Sequence, residues 1–115
     1  MMAADDPRGT QAITRLRKEI RRYLCKEVPA EGLQTVLAEL GLDIVYTPPQ
    51  YVFRVPCPAA LTPAQEESCA GLPKLYAVDP PQRTPAALVI TGGDVECLPG
   101  ILTELASVGL LFHTP

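Results

Sequence analysis

The sequence has no tryptophan, one histidine, and only two phenylalanines and four tyrosines in 115 residues. Surfaces that stack nucleobases need several rings, and the only closely spaced pair sharing a strand face is Tyr51 and Phe53. No C-x-x-C occurs. Cys25, Cys57, Cys69 and Cys97 stand far apart, whereas a structural zinc site draws paired ligands from close positions. Neither G-x-G-x-x-G nor G-x-x-x-x-G-K-[ST] is present, which removes two common phosphate cradles. No apolar run approaches the roughly 18 residues that cross a bilayer. The opening MMAADDPRGTQ is acidic and polar, unlike a secretory signal. The expectation is a cytoplasmic or nuclear protein without a membrane span, whose cysteines are reduced thiols, buried or partly buried.

Proline, by contrast, is abundant. Thirteen prolines stand in the chain, about twice the average frequency of roughly 5%. They cluster at 48–49, 56–63, 80–81 and 85, between apolar segments, and so mark connections. With 47% hydrophobic residues the chain has material for one core. The expected organisation is a disordered lead over 1–10 and a single domain over 11–115.

Charge is unevenly placed. Residues 15–27 hold Arg15, Arg17, Lys18, Arg21, Arg22 and Lys26 against Glu19 and Glu27, a local +4 in a chain of net charge −3, leaving −7 elsewhere.

Periodicity defines the elements. Ile13, Leu16, Ile20, Tyr23 and Leu24 form a helical stripe over 12–26, with Thr10 as its N-cap. Leu33, Val36, Leu37 and Leu40 predict a helix over 30–40, bounded by Pro29 and Gly41. Residues 42–47 and 50–55 read as strands around Pro48-Pro49, either a hairpin or two strands that splay apart. Tyr51, Phe53 and Val55 share one face; Val52 and Arg54 share the other. Thr62, Pro63 and Gln65 form a capping box that starts a short helix over 63–70, with Gly71 past its end. KLYAV (74–78) and AALVITG (86–92) read as strands, with DPPQRTP as the loop between them. Asp94 caps a last helix carrying Leu98, Ile101, Leu102, Leu105 and Val108; Gly109 ends it, and LLFHT is a closing strand. The fold class is α+β: a mostly antiparallel sheet of four to five strands with helices packed on one face, in the order α-α-β-β-(α)-β-β-α-β.

Two stretches look alike: LQTVLAELGLDIVYTP (33–48) and LPGILTELASVGLLFHTP (98–115). With two gaps, Leu37 meets Leu102, Leu40 meets Leu105, Gly41 meets Gly109 and Leu42 meets Leu110. Each describes an amphipathic helix ending at a glycine with φ > 0 and an apolar segment leaving it. Duplication and convergence both account for the likeness. LTELASVGLLFHTP also resembles the third helix and first wing strand of winged-helix domains. The resemblance covers only short segments and carries no functional residues across.

Little here suggests catalysis. VITGGDVECLPG is a strand, a glycine pair and an acid before a helix. Asp94 and Glu96 would repel a phosphate at Gly92-Gly93, and they oppose a lowered Cys97 pKa. His113 has no evident orienting partner. The expectation is no catalytic residue, no cofactor, no metal and no small-molecule ligand. The basic helix is the candidate surface: Arg15, Lys18 and Arg22 on one face, Arg17 and Arg21 on the adjoining one. With Tyr51 and Phe53 these are the expected partner-binding residues. The expected function is a small non-enzymatic protein–protein interaction module, a subunit or adaptor of a larger assembly or a homodimer. The alternatives are nucleic-acid binding through the basic helix, which the acidic pI of about 5.0 disfavours, and a small enzyme with a site near Gly92-Gly93-Asp94.

Overall fold

The computed structural model describes residues 7–57 and 60–112. Helix α1 (Pro7–Leu24) and helix α2 (Ala30–Glu39) precede a hairpin of β1 (Asp43–Thr47) and β2 (Gln50–Pro56). Helix α3 (Pro63–Leu75), strand β3 (Gln82–Arg83), strand β4 (Ala87–Gly92) and helix α4 (Leu98–Ser107) follow, with a single 3-10 turn at Val95–Cys97 leading into α4. The four strands form one antiparallel sheet in the order β1-β2-β4-β3. The fold is α+β, as the patterning implies.

The sheet alternates cleanly. Ile44, Tyr51, Phe53, Val55, Leu88 and Ile90 point into one core shared with Leu16, Leu33, Leu37, Leu72, Leu98 and Leu105 from the four helices. Val45, Val52 and Arg54 point the other way and are exposed. The period of two assigns faces, and the helices cover only one of them.

Pro48 and Pro49, joined by a cis peptide bond, form the hairpin turn between Thr47 and Gln50. The strands therefore pair and do not splay.

Helix α1 starts at Pro7, so residues 7–10 of the expected lead are helical and Thr10 lies inside the helix, not at its cap; the rest of that expected lead, 1–6, lies outside the described residues. Pro7 fits a first helical position because its missing N–H would have no intrahelical acceptor there. The Thr62–Gln65 capping box is present in both directions, at 3.2 and 3.0 Å. The helix it starts runs to Leu75, through Gly71 and Pro73, because Cys69 and Leu72 extend its buried stripe. Residues 74–78 are consequently not a strand; only Val78 touches the sheet, bridging Gly92. The segment read as a loop supplies the edge instead. Asp79 N–H donates to Thr91 O, Gln82 pairs with Val89, and Arg83 pairs with Leu88. Pro80 and Pro81, without N–H groups, interrupt that edge.

The two similar stretches share one helix ending. Gly41 and Gly109 have φ of 75° and 79°. Gly41 N–H donates to Ala38 O and Leu42 N–H to Leu37 O; Gly109 N–H donates to Ala106 O and Leu110 N–H to Leu105 O. This is the Schellman pattern, closed each time by a buried leucine pair. The registration is ungapped from the glycine: Leu33 matches Ile101, Leu37 matches Leu105 and Leu42 matches Leu110. The paths then part. Residues 43–47 enter the sheet, whereas 110–112 form a bend; the rest of the expected closing strand lies outside the described residues. No wing strand follows α4 within the described residues, so the winged-helix likeness stops at the helix end.

Candidate docking surface on helix α1

The six basic residues from Arg15 to Lys26 are not equivalent. Arg15 pairs with Glu39 of α2, which ties the first two helices together. Arg22 reaches Glu19 at 3.1 Å and Glu27 at 4.0 Å, so its charge is spent within its own helix end. Arg17, Lys18 and Arg21 are exposed and have no ion pair among the described residues. Exposed pairs contribute at most about 1 kcal/mol each. The distinction therefore concerns which charges are free to meet a partner more than it concerns stability.

Arg17 and Arg21 line a groove of about 400 Å³ between α1 and the start of α4. Ile20 and Pro99 are its buried apolar residues; Leu24, 47% exposed, forms part of one wall, and Glu96 lines it from the α4 side. A more open depression of about 590 Å³ at the α1–α2 turn adjoins it at Leu24. The groove and two of these cations, Arg17 and Arg21, thus share one face. Periodicity placed the cations there, but the groove required knowledge that α4 packs beside α1.

Tyr51 and Phe53 do not belong to this surface. They are 0% and 1% exposed, on the sheet face that the helices cover. The reading of them as partner-binding residues is corrected: alternation identified their shared face, and that face turned out to be the core. The open sheet face carries Val45, Val52 and Arg54.

The edges of the sheet are closed to a further strand. Gln34 of α2 donates its Nε2–H to Ile44 O at 2.7 Å, and its Oε1 accepts from Tyr46 N–H at 2.7 Å. Its carboxamide occupies the backbone positions that an added strand would use on β1. The opposite edge is short and broken by Pro80-Pro81. Both devices are ways in which sheets avoid edge-to-edge pairing.

In the Gly92-Gly93-Asp94 region Gly92 is buried and tightly packed, whereas Gly93 and Asp94 are exposed. A Cβ on Gly92 would lie 2.5 Å from the Tyr51 hydroxyl and 2.9 Å from Val78, so the absent side chain makes room for the ring. The Tyr51 hydroxyl is buried without a hydrogen-bond partner among the described residues. Burial, helped by Cys97 and Asp94 nearby, pushes its pKa far up. Asp94 Oδ1 accepts from Glu96 N–H at 3.0 Å and so caps the 3-10 turn. These contacts account for the glycine and the acid by packing and capping.

All four cysteines are free; Cys69 is buried, Cys57 and Cys97 are half-buried, and Cys25 is exposed, against the expectation that none would be. His113 lies outside the described residues. Among the described residues no group of three His, Cys, Asp or Glu side chains is placed to hold a metal, and no helix is long and apolar enough to cross a membrane.

No protein-family model matches the chain, and neither a curated protein nor a solved structure is significantly similar to it.

Proposed function

We propose that this chain is a small non-enzymatic protein–protein interaction module, an adaptor or subunit that docks a partner through α1. The observation carrying the reading is the coincidence on one helix face of two arginines without an ion pair among the described residues, Arg17 and Arg21, with exposed Leu24 beside an apolar groove. Arginines on the rim of an apolar patch are a common composition of protein interfaces. The packed surroundings of Gly92 and the capping role of Asp94 remove the main motive for an enzymatic reading there. A cytoplasmic or nuclear setting remains part of the proposal and is compatible with the free thiols.

Nucleic-acid binding is the second reading, favoured by the same free Arg17, Lys18 and Arg21. The burial of Tyr51 and Phe53 takes away the rings that would stack bases.

Size-exclusion chromatography with light scattering, at low and moderate salt, tests both readings. The purified chain is run alone, with a 16-nucleotide RNA, and as the Arg17→Glu/Arg21→Glu variant. Self-association, or a co-purifying protein, that the variant loses supports the interaction module. A monomer that instead shifts with RNA at low salt, and stops doing so in the variant, establishes the second reading.

A further inference from the structure

The geometry points to an amphipathic helix with acidic residues along one flank as the occupant of the α1–α4 groove. This rests on the interaction-module reading and names the partner's chemistry.

Three observations lead there. First, Arg17 and Arg21 are one turn apart, about 6 Å along the axis. Carboxylates at i and i+4 of a partner helix repeat that interval, so each would face one guanidinium, and Arg matches a carboxylate with two parallel hydrogen bonds. Neither arginine has an ion pair among the described residues. Second, the groove that the arginines and Glu96 line also carries apolar Ile20, Leu24 and Pro99. Two neighbouring helices present a groove that a third can fill with residues at i, i+3, i+4 and i+7. Third, strand addition is closed on both sheet edges, by Gln34 on β1 and by Pro80-Pro81 next to β3. Glu96 on the far lip adds polarity to the match. It repels a second acidic flank, so the occupant is acidic on the arginine side and neutral or basic on the other.

The test is fluorescence anisotropy with a labelled 16-residue helical peptide. Its leucines recur at i, i+3, i+4 and i+7, glutamates follow one flank at intervals of four, and glutamines fill the rest. The controls are a peptide of the same composition with the leucine spacing scrambled, one with lysine replacing glutamate, and a 16-nucleotide RNA. The expected result is binding of the glutamate helix with a dissociation constant below about 100 µM at low salt. Binding should weaken at least about tenfold for both control peptides, for Arg17→Glu/Arg21→Glu and for Leu24→Asp, provided circular dichroism shows those proteins folded. Glu96→Gln should tighten binding about two- to threefold, a gain that a folding defect does not produce. Equal binding of the scrambled peptide, or no response to the arginine reversal, overturns the proposal. Binding of RNA but of no peptide overturns both it and the interaction-module reading. Failure of every peptide, alongside self-association that the arginine reversal abolishes, sinks the acidic helix alone and leaves that reading standing with a second copy as partner.

Discussion

The Gln34 side chain, on a helix, accepts the Tyr46 backbone N–H at 2.7 Å, on the edge of the sheet. With its second bond to Ile44 O, this one carboxamide fastens α2 to the hairpin and occupies the edge. Gln34→Leu keeps the size but forfeits both bonds. The expected cost is about 1–2 kcal/mol from two hydrogen bonds at part-buried groups. Denaturant unfolding measures that loss. An exposed edge should also raise the rate of thioflavin-positive aggregation; an unchanged rate would show that the edge is protected by something else.

Lys26 closes α1 in a left-handed conformation, φ 63°, with its N–H donating to Tyr23 O and the Glu27 N–H to Arg22 O. This is the ending used at Gly41 and Gly109, but with a side chain where glycine is the unstrained choice. Lys26→Gly should stabilise the protein by roughly 0.5–1 kcal/mol, the relieved strain less the added entropy of the unfolded chain. A lowered melting temperature would contradict this.

Gly92 and Tyr51 form a fitted pair. Gly92→Ala places a methyl against the ring and Val78, and should cost about 1–3 kcal/mol. Tyr51→Phe removes a buried hydroxyl with no partner among the described residues and should be neutral, or stabilising by up to about 1 kcal/mol. The double variant should recover part of the Gly92→Ala loss, read as a coupling energy in a double-mutant cycle. Additivity of the two effects would show that the ring is not what excludes a side chain at 92.

Alkaline pH should destabilise the fold. The Tyr46 hydroxyl lies 2.9 Å from that of Tyr23, and burial followed by this hydrogen bond raises its pKa to about 12. Burial also raises Tyr51, Tyr76 and Cys69. In each case the folded state holds its proton at a pH where the unfolded chain releases it. The associated stability is complete below the ordinary values, near 9 for the thiol and 10 for tyrosine, and declines as pH rises above them. For Tyr46 the decline runs from pH 10 to about 12. Melting temperatures across pH 8–12 should fall most steeply there, and Tyr46→Phe should flatten the slope while lowering stability at neutral pH.

Local interactions were legible from the residues alone. The Thr62–Gln65 box, the positive φ of Gly41 and Gly109, and the stripe of α1 each depend on groups a few positions apart, whose geometry the chain itself imposes. The same reasoning stopped α3 too early at Gly71, because Leu72 becomes a helix residue only when the core rewards its burial. It also placed a strand at 74–78 and overlooked Gln82–Arg83, whose two residues have no pattern and pair only because β4 offers a free side.

The amino-acid order by itself determined the α+β class, the placement of the basic face on the first helix, and the division of β2 into two faces. Tertiary structure decided which face was core, and so moved Tyr51 and Phe53 from candidate contacts to the interior. It also decided which arginines are paired, because Arg15 meets a glutamate 24 residues away whereas Arg17 and Arg21 meet none among the described residues. Periodicity states that residues lie together on a side. What lies opposite that side depends on contacts between segments distant in the chain, and these exist only once the core has formed.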